Sequence, residues 1–139
     1  MVAKRVWMLS RKPARPAKID ELEKRGIIHA CEAFIDKVLK PRFLPEIQPS
    51  DRSNYPIDIR GDWRAGRYRF MQHYRVGGGP TDGQEFDAPF ARIDRMARDR
   101  FAVYWMRHTG QWMPFEMGVT LAEALRSIET VDLLPTDMI

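Results

Sequence analysis

Residues 55–76 read YPIDIRGDWRAGRYRFMQHYRV, and their alternation decides the fold. Successive side chains of an extended strand point to opposite faces, so Tyr55, Ile57, Ile59 and Trp63 fall on one side and Asp58, Arg60 and Asp62 on the other. Ala65-Gly66 supplies a turn. Beyond it, Arg67 to Val76 forms a second strand with Tyr68, Phe70, Tyr74 and Val76 on one face and Arg67, Arg69, Met71, His73 and Arg75 on the other. This is the pattern of an antiparallel hairpin with one face packed and one facing water.

Upstream, the period changes from two to 3.6. Asp20-x-x-Glu23 can cap a helix whose residues Ile27, Ala30, Cys31, Phe34 and Val38 form an apolar stripe, widened by Ile28, Ile35 and Leu39. Pro41 is expected to end it. Pro45, Pro49 and Ser50 to Asn54 read as a loop, and Gly77-Gly78-Gly79-Pro80 with Thr81-Asp82-Gly83 as a mobile surface loop. Downstream, Phe101 to Arg107 is β-branched and aromatic, His108 to Gln111 is a turn, and Trp112 to Glu116 is extended, with Pro114 marking an edge strand. Thr120-x-x-Glu123 is a capping box that opens a short helix through Leu121, Ala124, Leu125 and Ile128, closed before Pro135.

Residues 90–101 fit two patterns. Phe90, Ile93, Ala97 and Phe101 have helical spacing, whereas Ala91, Ile93, Arg95 and Ala97 alternate as in a strand. Ala91-Arg92-Ile93, Tyr104-Trp105-x-Arg107-x-x-Gly110-x-Trp112, Leu121 and Leu125-x-x-Ile128 resemble a small bacterial family catalogued as domain of unknown function 3024. The likeness extends more loosely upstream over about 100 residues in all, and departs from the family after Phe70 and in the Gly77 to Gln84 loop. It implies a strand at residues 90–97, and it carries no reaction, ligand or catalytic residue. The expected fold is therefore α+β: an antiparallel meander of about five strands packed with an N-terminal helix and a short C-terminal helix.

Charge divides the chain at residue 18. Lys4, Arg5, Arg11, Lys12, Arg15 and Lys18 stand in a Pro-containing arm with no acid, a net charge of +6. Residues 19–139, read as one domain, hold 17 Lys and Arg against 19 Asp and Glu, a net of −2. The basic pI belongs to the arm. Within the body, residues 55–108 carry 10 Lys and Arg against 7 acids, and residues 109–139 carry Arg126 against five acids. The sheet leans basic and the last helix acidic.

A chain of 139 residues with 44% hydrophobic residues can bury a full core without staples. Its one cysteine, Cys31, excludes an internal disulfide and reads as a small core residue, and its three histidines show no metal-ligand spacing. No metal or cofactor is expected. The apolar run Val6 to Leu9 is too short for a signal peptide and no run approaches a membrane span, so the expected setting is the cytoplasm, with no membrane partner.

Three functional readings compete. In the first, the protein is a non-catalytic binding module that contacts RNA or DNA backbone without reading sequence, through the six basic residues of the arm and through Arg67, Arg69 and Arg75. The bland counterpart is a solvated strand face whose arginines pair with Asp58, Asp62 or Asp94. The second is a sheet-based ribonuclease of toxin type, with Arg69, His73, Arg75 and Tyr104 positioning a phosphodiester and moving protons. The third is an adaptor that forms a homodimer through its aromatic sheet.

Overall fold

The computed structural model describes residues 19–44 and 46–130. The basic arm with Lys4, Arg5, Arg11, Lys12, Arg15 and Lys18, together with Pro45 and Pro135, lies outside the described residues.

Five strands follow one another as an antiparallel meander in the order β1 (Tyr55–Arg64), β2 (Arg67–Arg75), β3 (Glu85–Ala97), β4 (Arg100–Met106) and β5 (Trp112–Val119). Before them comes a helix α1 (Glu21–Phe34), a π-helical turn (Ile35–Leu39) and a last α-turn, α2 (Lys40–Phe43). After them comes α3 (Leu121–Thr130). The fold is α+β, as the alternation and the two caps predict. Residues 90–97 are strand, and β3 begins five residues earlier than the pattern showed.

Both caps form. Asp20 accepts a hydrogen bond from the backbone of Glu23 at 2.7 Å, and Thr120 and Glu123 exchange reciprocal bonds at 2.9 and 3.1 Å. Pro41 does not end the first helix, which runs on to Phe43. The π turn is the reason: Lys40 N–H reaches back five residues to Ile35 O, and Pro41 then falls in the first turn of the final α segment, where a missing N–H costs least. The wider turn also shifts the apolar stripe by one residue, so that Leu39 is fully buried and Val38 only partly.

All the helices pack on one face of the sheet. There Ile27, Cys31, Phe34, Ile35 and Leu39 from the first helix meet Ile59, Tyr68, Phe70, Ala91, Ile93, Phe101 and Val103 from the strands, with Ala124 and Ile128 closing the far side. Burial pushes the Cys31 thiol up to about 12, which keeps it protonated and unreactive. Ser127 Oγ donates to the Glu116 carboxylate and ties α3 to β5. Among the described residues, no helix lies on the other face.

The 77–84 loop packs closely at its start. Gly78 N–H donates to Asp82 Oδ1 at 2.6 Å, and a Cβ on Gly77 or Gly78 would lie 2.0 Å from the carbonyl oxygen of Ser50 or Asp51. Only glycine permits that approach. Two register shifts matter further on: β1 gains a residue between Pro56 and Asp58, and β3 gains Phe90 opposite the Phe70–Met71 step.

Candidate functional site

The strand register lays one row of side chains across the uncovered face. Asp62 on β1 stands opposite Arg69 on β2, Arg69 opposite Arg92 on β3, Arg92 opposite Tyr104 on β4, and Tyr104 opposite Pro114 on β5. Two residue pairs along, on the same face, Arg64 stands opposite Arg67 across the β1–β2 turn. Two pairs of arginines thus face each other directly on neighbouring strands, an arrangement that by itself is unfavourable.

Two carboxylates and two rings hold these arginines in place. Asp62 accepts a bidentate pair from Arg69 at 3.1 and 2.9 Å, and Asp94 accepts another from Arg92 at 2.7 and 3.0 Å. Arg67 reaches Asp94 at 3.5 Å. The Arg69 guanidinium holds the Asp62 carboxyl below the usual carboxylate range. Arg92 lies over the rings of Tyr104 and Trp112, 4.3 and 4.9 Å from their centroids. The Arg64 side chain makes no hydrogen bond or ion pair among the described residues. Arg64, Arg67, Arg69, Arg92 and Trp112 line a cavity of about 260 Å³. Four guanidinium groups against two carboxylates leave it with two positive charges in excess.

The pairing of Arg67 with Asp94 and of Arg69 with Asp62 is the one foreseen for a solvated strand face. Complete neutralisation is not. The face is also drier than alternation implies, because Met71 and His73 are buried between the neighbouring strands. His73 donates from Nδ1 to Asp87 at 2.7 Å and from Nε2 to Glu85 at 2.8 Å, and Arg75 donates to the same Glu85 at 2.8 Å. His73 stands four residues from Arg69 along β2, about 13 Å away at the rise of a strand. Arg69 and Tyr104 share the arginine row, whereas His73 and Arg75 form a separate carboxylate-bound cluster. The four residues of the ribonuclease reading therefore do not converge on one point.

The His73 cluster carries a pH dependence of stability. The hydrogen bond to Glu85, reinforced by Asp87, raises the imidazole above its usual value of about 6.5, against burial and the nearby Arg60. A raised folded-state value means that this stabilisation is fully present below about pH 6.5 and is lost as pH rises through the folded value. Glu85 is lowered by Arg75 and then by His73, so its own contribution is lost on the acid side as pH falls through its folded value. The melting-temperature gap between the parent and His73→Gln should narrow from about pH 6 to about pH 9. A gap that stays constant across that range would show that the charged imidazole contributes nothing.

Arg64, Arg92 and Trp112 were not among the residues singled out for binding. The available signal was the period of two in Ala91-Arg92-Ile93-Asp94, which places Arg92 and Asp94 on the face opposite the core. Among the described residues, no group of three or more His, Cys, Asp or Glu is placed to hold a metal ion, and no helix is long and apolar enough to cross a membrane.

These features define an α+β domain with an open five-stranded meander, helices on one side and an arginine-lined cavity on the other. Residues 19–132 match the family model described as Domain of unknown function (DUF3024), and the chain belongs to that family. No curated protein and no solved structure matches it.

Proposed function

We propose that the protein is a non-catalytic binding module that holds the phosphate backbone of RNA or DNA without reading its sequence, using the arginine cavity of the open face and the basic arm of residues 1–18. The observation that carries this reading is the double opposition of Arg64 with Arg67 and of Arg69 with Arg92 around one cavity. Like charges face to face break a rule of sheet pairing, and such breaks belong where a ligand compensates them. A phosphate oxygen accepts from a guanidinium fork in the same geometry as the carboxylates already there. Both His73 ring nitrogens are already engaged by Asp87 and Glu85, away from the arginine row, which favours binding over the ribonuclease reading.

Titration of single-stranded RNA and duplex DNA at several salt concentrations tests the proposal. Six arm charges on duplex phosphates would give a log–log salt slope of about −5, and deleting residues 1–18 should remove most of it. Arg64→Ala with Arg67→Ala should flatten the slope by about 2 further units while leaving the melting temperature unchanged, since both side chains are exposed. Absence of binding at low salt, or a slope indifferent to both changes, would sink the reading.

A further inference from the structure

A second cleft, of about 260 Å³, lies between the π turn and the edge strand β1. Its charged lining is Glu32, Asp36 and Asp58 against Lys40 and Arg60, and Tyr68 closes it from the core side. Tyr68 is 1% exposed, and its hydroxyl is the one buried side-chain polar atom among the described residues with no hydrogen-bond partner. The contrast with Tyr74, whose hydroxyl donates to Gln72 at 2.9 Å, shows that this sheet satisfies a buried phenol where it can.

Gly61 makes the arrangement possible. A Cβ there would lie 2.3 Å from Tyr68 Cε1 and 2.6 Å from Tyr68 Oη, so the ring lies directly across bare backbone of β1, with its hydroxyl end at the strand that lines the cleft. Any side chain at position 61 would fill the space the hydroxyl occupies. A glycine in the middle of a strand with a negative φ has a close approach, not a turn, to explain it.

The remaining hydrogen-bonding capacity of the cleft is mostly for acceptors. Lys40 Nζ is shared between Asp36 and Asp58 at 3.2 Å each, and Arg60 stands 3.7 Å from Asp58. Glu32 has no ion pair among the described residues. That leaves Glu32, the second oxygen of Asp36 and the lone pairs of Tyr68 unanswered, with one negative charge in excess. The carboxylates do not converge closely enough for a metal ion. An ammonium group with three diverging N–H donors meets spaced acceptors better, and Lys40 shows that these acidic side chains already accept one.

We propose that this cleft binds a small primary alkylammonium ligand, held by the Glu32 and Asp36 carboxylates and by the Tyr68 hydroxyl across Gly61. This site is separate from the arginine cavity and independent of nucleic-acid contact.

The full-length, isotope-labelled protein titrated with n-butylammonium chloride, and in parallel with sodium butyrate at the same ionic strength, tests it by amide chemical shifts. Saturable shifts at Glu32, Gly61 and Tyr68 are expected with the ammonium and not with butyrate. Tyr68→Phe keeps the ring and the packing and should weaken binding about tenfold. Glu32→Gln, on the exposed side of the helix, should weaken it as well. No saturable shifts with the ammonium, an equal response to butyrate, or unchanged affinity in Tyr68→Phe would each overturn the proposal.

Discussion

Phe70→Ala should destabilise the domain by about 3–5 kcal/mol, enough to leave a typical domain of this size marginal. Phe70 is fully buried at the centre of the helix-covered face, opposite Gly61 on β1 and Ala91 on β3. Its ring meets Phe34 edge-on at 6.2 Å, Tyr68 at 5.0 Å and Phe90 at 6.4 Å, so it joins α1, β2 and the extra residue of β3. Because Gly61 and Ala91 have almost no side chain to move inward, the cavity left by truncation cannot collapse. Urea denaturation followed by circular dichroism reads the loss directly. A change below about 1 kcal/mol would mean that the site relaxes and that the aromatic cluster is not the keystone of the core.

Glu23→Ala should cost on the order of 3 kcal/mol, an unusual price for a residue in the first turn of a helix. Glu23 accepts a bidentate pair from Arg95 at 2.8 and 3.0 Å, with the two side chains only 12% and 6% exposed. Truncation removes a bidentate carboxylate partner of the guanidinium in a site of low exposure, which is more damaging than losing a surface pair. Replacing both partners, as Glu23→Leu with Arg95→Met, should recover most of that loss. The same denaturation series separates the cases: a single variant within about 0.5 kcal/mol of the parent would show the pair to be no stronger than a solvated one.

These two residues also mark how far local reading reaches. Phe70 is legible from the period of two in residues 67–76, and its burial follows from which face the apolar residues choose. Glu23 reads as part of a cap signal, and its backbone N–H is indeed bonded to Asp20. Its side chain, however, serves a residue 72 positions away in β3, and nothing in the local pattern contains that distance. Pro41 shows the opposite failure. A rule true for an α-helix fails because a π turn just upstream changes the hydrogen-bond register.

The candidate site divides in the same way. Alternation places Arg67, Arg69 and Arg75 on one face and the sequence's acids supply plausible partners, but whether two arginines stand opposite each other depends on strand register. Opposite Arg67 the register follows from the two-residue Ala65-Gly66 turn, and opposite Arg69 on β3 from the residue added at Phe90, which re-aims everything beyond it. One residue of slip would place Arg69 against a core residue instead of Arg92.

The sequence by itself determined the fold class, both helix caps, the two faces of β2 and the concentration of positive charge in residues 1–18, because each rests on periods and spacings within a few residues. Tyr55, expected beside Ile59, instead lies opposite Arg75 on the open face because Ile57 is an added residue. Only the tertiary structure decided that Arg64, Arg67, Arg69 and Arg92 share one cavity, that His73 is held between two carboxylates, and that the Tyr68 hydroxyl lies partnerless across Gly61. Those are relations between strands, and pairing energy and bulges, summed over the whole sheet, choose them.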